Sequence, residues 1–279
     1  MTNWHKEALV LLYLWKEMIL MIYYYSGCGN SRLIAQKISA ELGERLVFIP
    51  EADRAGEYCP ELGEGESLGF VWPVYCWAPP KLVSEFVSRL QLNRKPSYTY
   101  MVATYGDDAG LSEKLFRKSL KRVGLELDSC HGLIMPETYV NFPGMGLDSR
   151  EQACRKIEAA LSRIPGIAAS LRSHERCSDI LVGKNAWLKS RVLKPLFYRF
   201  LVTDRYFHAS EACTGCGLCA RLCPLENIVM SSGRPHWTGS CTTCNACYHN
   251  CPSAAISFGK ITRGKGQYRA IRDYLGTGK

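Results

Sequence analysis

Residues 213–224 read C-T-G-C-G-L-C-A-R-L-C-P, and residues 241–252 read C-T-T-C-N-A-C-Y-H-N-C-P. Both obey C-x-x-C-x-x-C-x-x-x-C-P, with their first cysteines 28 residues apart. Eight of the 14 cysteines in the chain thus fall into two copies of one pattern. A zinc ribbon needs two C-x-x-C pairs, so a third cysteine and a trailing C-P, given twice, exceed its need. A disulfide framework suits small secreted chains, whereas this one has 279 residues and no clear secretory signal. Three thiolates at this spacing grip one face of an iron–sulfur cubane, and the fourth lies too far along to close the same cluster.

The run resembles that of bacterial two-cluster ferredoxins, in which the fourth cysteine ligates the other cluster. Cys213, Cys216, Cys219 and Cys251 are therefore assigned to one 4Fe-4S cluster, and Cys241, Cys244, Cys247 and Cys223 to the second. The exchange implies a pseudo-twofold module with its clusters close together, suited to electron transfer.

The net charge of +9 is unevenly divided. Residues 1–175 carry 20 Lys+Arg against 21 Asp+Glu, and residues 176–279 carry 15 against 5. Each oxidised cubane with its thiolates adds about −2 and a flavin phosphate about −2, so much of the excess offsets cofactor charge. No nucleic-acid recognition motif accompanies the basic half, and an acidic redox partner protein is its expected counterpart. The six other cysteines, Cys28, Cys59, Cys76, Cys130, Cys154 and Cys177, suit a reducing cytoplasm. The apolar start of the chain has Lys16 and Glu17 at its centre, which argues against a transmembrane segment. Residues 1–18 are taken as an amino-terminal extension, with Met1, Met18 and Met21 all open as start sites.

From there to residue 175, β-rich apolar runs alternate with amphipathic helical patterns. Strands are predicted at Ile19–Tyr25, Leu46–Pro50, Leu68–Tyr75, Tyr98–Thr104 and His131–Met135. Helices are predicted at Ser31–Leu42, Pro80–Leu90 and Leu111–Val123. The alternation implies an α/β domain with a five-stranded parallel sheet, in the flavodoxin-like order 2-1-3-4-5.

The first strand runs into Ser26-Gly27-Cys28-Gly29-Asn30-Ser31 and then directly into a helix. Glycines let the backbone curl, and a helix N-terminus favours an anion. The turn lacks the lysine of a Walker loop and the G-x-G-x-x-G of a dinucleotide site. It is similar to flavodoxin phosphate loops, except that Cys28 stands where threonine is usual and offers a weaker donor. At the same sheet edge lie the loops carrying Tyr75, Trp77 and Ala78, then Thr104, Tyr105, Gly106 and Asp107, then Tyr139. In flavodoxins the matching loops flank the isoalloxazine, which makes Trp77 and Tyr105 the candidate flavin walls and Tyr139 a third.

From about residue 19 the chain resembles the fused flavodoxin–ferredoxin proteins, or ferrodoxins. The resemblance rests on S-G-C-G-N-S, V-Y-C-W-A-P-P, both cluster motifs, and the stretches F-Y-R-F and R-Y-F-H-A-S-E-A-C. It implies an FMN domain at 19–175 joined to a two-cluster domain at 206–259. Residues 176–205 form an aromatic, basic linker expected to pack between the two, with membrane-surface contact as the alternative. Residues 260–279 are a basic tail with no assigned role. An electron carrier, a flavin-dependent reductase of a small substrate, and a flavin-free module docking onto a larger redox complex all remain open. The sequence offers neither a separate nicotinamide site nor an acid–base pair, and Asp107 and Asp108 read as solvated or flavin-adjacent.

Crossed ligation has a spectroscopic consequence. Cys223→Ala should perturb the cluster held by the 241–247 run, not that of its sequence neighbours, as judged by electron paramagnetic resonance of the reduced protein. Loss of the 213–219 cluster instead would refute the exchange.

Overall fold

The computed structural model describes residues 21–269 with Ile271 and Tyr274. The expected extension 1–18 lies outside the described residues. One parallel sheet contains β1 (Met21–Tyr24), β2 (Arg45–Phe48), β3 (Ser67–Pro73), β4 (Tyr98–Tyr105), β5 (Ser129–Ile134) and β6 (Ser178–Asp179), in the order β2-β1-β3-β4-β5-β6. The sheet has six strands, not five. The extra one is a two-residue exposed edge beside β5, too short to carry an alternating pattern. The strand expected to reach Pro50 stops at Phe48, because Pro50 opens a helix instead.

Successive residues of each strand face opposite sides of the sheet. Tyr23, Phe70, Trp72 and Met101 pack under helices α2 (Ile49–Ala55), α3 (Lys81–Val87) and α4 (Ser112–Lys121). Ile22, Val71 and Val102 pack under α1 (Asn30–Leu42), α5 (Arg150–Ser162) and α6 (Ile164–Arg172). Two covered faces explain why these strands read as continuous apolar runs. The doubly wound order is flavodoxin-like, and its ligand crevice lies beyond the carboxyl ends of the strands.

The second domain pairs β7 (Phe207–Ala209) with β10 (Ile256–Phe258), and β8 (Ile228–Ser231) with β9 (Arg234–Trp237), all antiparallel. Short helices at Leu218–Arg221 and Ala246–Asn250 lie within the two cysteine motifs. Phe207, Ile228, Tyr248, Ile256 and Phe258 form its core, which Val140 of the sheet domain completes. Ala186–Leu188, a π turn at Lys189–Leu193 and Lys194–Phe200 form one connecting helix. Pro195 has no N–H to give, and the ladder loosens at the turn that precedes it.

Residues 265–268 of the tail, to which the sequence assigned no role, form a strap across both domains. Lys265 Nζ donates to the carbonyls of Val140 and Phe142 at 2.7 Å. Gln267 donates to Tyr248 and Cys251, and the Tyr268 hydroxyl reaches Asn30 Oδ1 at 2.6 Å.

Inside the sheet, a Cβ on Gly69 would stand 2.4 Å from the ring of Tyr100, its register partner on β4. Tyr100 covers that gap and donates its hydroxyl to buried Glu44. Burial raises Glu44 from 4.5 to about 7, partly opposed by this bond. The folded state therefore holds a proton that the unfolded chain releases, and stability falls as pH rises from about 4.5 through 7, by at most roughly 3 kcal/mol. Glu44→Gln should raise the melting temperature relative to wild type at about pH 8 but not at about pH 4.5. An offset that does not change with pH would remove this assignment.

Candidate functional site

The eight motif cysteines gather into two small cavities. Cys213, Cys216, Cys219 and Cys251 line one, and Cys223, Cys241, Cys244 and Cys247 line the other. Backbone amides point at the sulfurs, from Asn227 to Cys223 at 3.3 Å, Thr243 to Cys241 at 3.2 Å and Ala255 to Cys251 at 3.3 Å. The chain achieves this by coiling through left-handed φ at positions that repeat every 28 residues, Gly215 and Thr243, Gly217 and Asn245, Glu226 and Ala254. Four of these six are not glycine, and each costs of order 1 kcal/mol or more. Among the described residues, no three His, Cys, Asp or Glu close on a single metal ion. Thiolates at the corners of a cubane stand further apart than the ligands of one ion.

The two cavities differ in surroundings. Cys216 is exposed, and the Leu218 amide draws its thiol below the usual range. Burial pushes Cys241 up to about 12 and Cys244 up to about 11. Cluster iron supplies the positive charge that makes such buried thiolates tolerable.

The buried cavity rests on the sheet edge. A Cβ on Gly27 would lie 2.7 Å from Cys244 Cβ and 2.9 Å from the Tyr75 hydroxyl, and Cys28 Sγ donates to the Cys244 carbonyl at 2.9 Å. His249 Nε2 donates to the Thr138 carbonyl, while its Nδ1 accepts the Tyr268 amide, which sets a neutral tautomer. Burial holds His249 down to about 4.

Beside this contact is a cavity of about 260 Å³ at the carboxyl edge of the sheet. The loop after β3 gives it Tyr75 and Trp77. Tyr75 and Ala78 exchange both backbone bonds, leaving Cys76 and Trp77 at φ 48 and 57, the geometry of a tight hairpin turn. Lys189 Nζ lies 5.5 Å from the Trp77 ring centre. The connecting helix contributes Phe197 and Tyr198, with Phe197 5.5 Å from the ring of Tyr139. The cluster loop contributes Thr242–Asn245. Tyr139 Oη and Asn245 Oδ1, on residues of this lining, are buried without partners. Aromatic walls with unanswered polar atoms suit a flat heteroaromatic ligand.

Of the predicted residues, Asn30, Tyr75, Trp77, Thr104, Tyr105, Gly106, Asp107 and Tyr139 line this cavity. Ser26, Gly27, Cys28, Gly29, Ser31 and Ala78 do not. Ser26 Oγ accepts the Gly29 amide, Ser31 bonds Thr104 at 2.8 Å, and Gly27 with Cys28 face Cys244. Tyr105 is anchored in the fold, since its ring crosses Gly132 and its hydroxyl accepts the Leu181 amide. Asp108, read as solvated or flavin-adjacent, is not solvated: it lines this cavity, buried and ion-paired with Lys189. Glu137 escaped the sequence reading; its carboxylate accepts the amides of Thr138 and Tyr139 beside Gly106. Glu137 lies two residues before Tyr139 in the loop after β5, whereas no short-range signal marks Tyr198 or Asn245, because their place depends on how the connecting helix and the cluster loop meet the sheet.

Residues 212–256 match the family described as a 4Fe-4S dicluster domain. Comparison with curated proteins finds no match. Among solved structures, the chain is similar to the Trp repressor binding protein from Bacillus subtilis, at 15% identity over 52% of this chain and 94% of that one, with a TM-score of 0.32. It is also similar to a flavodoxin from Streptococcus pneumonia TIGR4, at 15% identity over 53% of this chain and 97% of that one, with a TM-score of 0.32. The strand order and the matched domain together make the architecture a flavodoxin-like sheet domain fused to a 4Fe-4S dicluster domain.

The buried Tyr25 hydroxyl stands beside the Cys244 sulfur and the Tyr75 hydroxyl. Hydrogen bonds to cluster sulfurs raise reduction potentials. Tyr25→Phe should lower the potential of the cluster nearest Cys244 by on the order of 20–60 mV in a redox titration, leaving the other within error. Equal shifts in both clusters would count against a local contact.

Proposed function

We propose that this protein is an electron carrier that passes electrons between FMN in the sheet-edge cavity and two 4Fe-4S clusters. One cluster is held by Cys213, Cys216, Cys219 and Cys251, the other by Cys241, Cys244, Cys247 and Cys223. The observation that carries this reading is the shared wall, since Thr242–Asn245, with Cys244 among them, lines the cavity that Tyr75 and Trp77 also line. A flavin exchanges one or two electrons and a cubane one, so the pair converts between hydride-like and single-electron chemistry.

The residues divide the remaining work. Tyr75, Trp77 and Tyr198 offer aromatic surface, and Tyr139 Oη and Asn245 Oδ1 offer polar contacts at the ligand's edge. The first turn of α1, entered at Gly29 with φ 101, offers amides to a phosphate, with Asn30 beside it. Pro136–Tyr139 and the connecting helix complete the cavity wall. Cys216, which is exposed, places its cluster within reach of a partner protein. A flavin-free docking module is the second reading, favoured by the covered faces of Gly27 and Cys28.

Anaerobic purification with iron, acid-labile sulfide and flavin quantified together tests the cofactor set. In stopped-flow reduction by a low-potential donor, cluster bleaching should precede flavin reduction at a rate independent of protein concentration. A rate proportional to concentration would mean transfer between molecules. FMN titration without spectral change or fluorescence quenching would select the flavin-free reading.

A further inference from the structure

The outer face of the connecting helix is apolar and uncovered. Leu188, Val192, Leu196 and Phe200 recur every four residues and are all exposed, so they form one row along the helix. Trp187, 66% exposed, and Leu193 widen the row, and exposed Leu181 and Val182 precede it. From Ile180 to Thr203 the chain has five Lys and Arg and no Asp or Glu. Among the described residues, no ion pair joins Lys184, Arg191 or Arg199 to an acid.

The helix cannot roll to hide this row. Its inner face is fixed by Ser190, which donates to the Trp77 carbonyl at 3.1 Å and accepts the Leu111 amide at 2.9 Å. The Lys189–Asp108 pair and the cavity contacts of Phe197 and Tyr198 fix it further. Burying the outer row inside this fold would break all of them. A contiguous exposed apolar surface of this kind marks a contact with something else.

We infer that this face binds the surface of an anionic lipid bilayer. Tryptophan, phenylalanine and leucine beside arginines, with acids absent, is the composition of helices that lie in a membrane interface. Arg191 and Arg199 lie four and twelve residues after Trp187, in the row that flanks the apolar one. Arginine in a headgroup layer keeps its stem among acyl chains and its guanidinium at the phosphates, and a basic stretch without acids is drawn to anionic lipid. No helix among the described residues is long and apolar enough to cross a membrane, so the contact is with the surface. Because the same helix walls the sheet-edge cavity on its other side, the bound protein holds that cavity next to the bilayer.

The test is sedimentation of the anaerobically purified holoprotein with vesicles of phosphatidylcholine, alone or mixed with phosphatidylglycerol. Binding to the mixed vesicles that weakens with added salt is expected, and Leu188→Gln with Leu196→Gln should weaken it by roughly tenfold or more. Arg191→Gln with Arg199→Gln should remove most of the salt dependence. Unchanged iron content and visible absorbance in each variant verify the fold. Failure of wild type to bind the mixed vesicles, or equal binding by the leucine variant, would overturn the inference. A dimer formed without lipid, and dissolved by the leucine substitutions, would assign the face to a second copy of the chain.

Discussion

Everything about the site follows from one close approach, that of Gly27 to Cys244. The glycine leaves room for the cluster loop to lie against the turn after β1, with space for no side chain between them. Cys28 then bonds the Cys244 carbonyl, and Tyr25 and Tyr75 close around the same sulfur. A larger residue at 27 would push the domains apart, opening both the buried cysteine cavity and the wall it shares with the sheet-edge cavity. For a redox protein the consequence is direct, because electron transfer weakens steeply with separation.

The contact holds because it is braced from two directions. The strap of Lys265, Gln267 and Tyr268 ties the 136–142 segment, the second cysteine motif and the Asn30 turn together. On the opposite side, Arg54 reaches the Pro224 carbonyl at 3.1 Å and pairs with Glu226. Most of these bonds end on backbone carbonyls rather than on side chains, so they fix position more firmly than surface ion pairs would. This multiplicity of partners lets the cluster loops hold Thr243, Asn245 and Glu226 in left-handed conformations that an isolated segment would abandon.

The placement of the cavities gives the molecule a direction. The cavity beside the sheet is walled by aromatic rings and by the buried cysteine loop, while Cys216, in the other cysteine cavity, reaches the surface. Burial and exposed charge act oppositely on the two ends, which is how otherwise similar clusters acquire different potentials. The connecting helix takes part on both of its faces, lining the cavity inward and leaving an apolar row outward.

The sequence by itself determined what depends on spacing along the chain. The doubled cysteine pattern announced the dicluster domain, and the alternation of apolar runs with helical periodicity announced a doubly wound sheet, because neighbours in sequence create both signals. Asn30, Tyr75, Trp77 and Tyr139 could be placed at one sheet edge from topology alone, since parallel strands present their carboxyl ends together. Tertiary structure decided the rest. β6 has two residues and no periodicity, Tyr105 turned out to cover Gly132, and Asp108 found Lys189. The strap and Asn245 reach their places across more than a hundred residues of intervening chain. No pattern local to a sequence encodes such contacts, because the side chains that make them are chosen by the shape of a surface that exists only once both domains have folded.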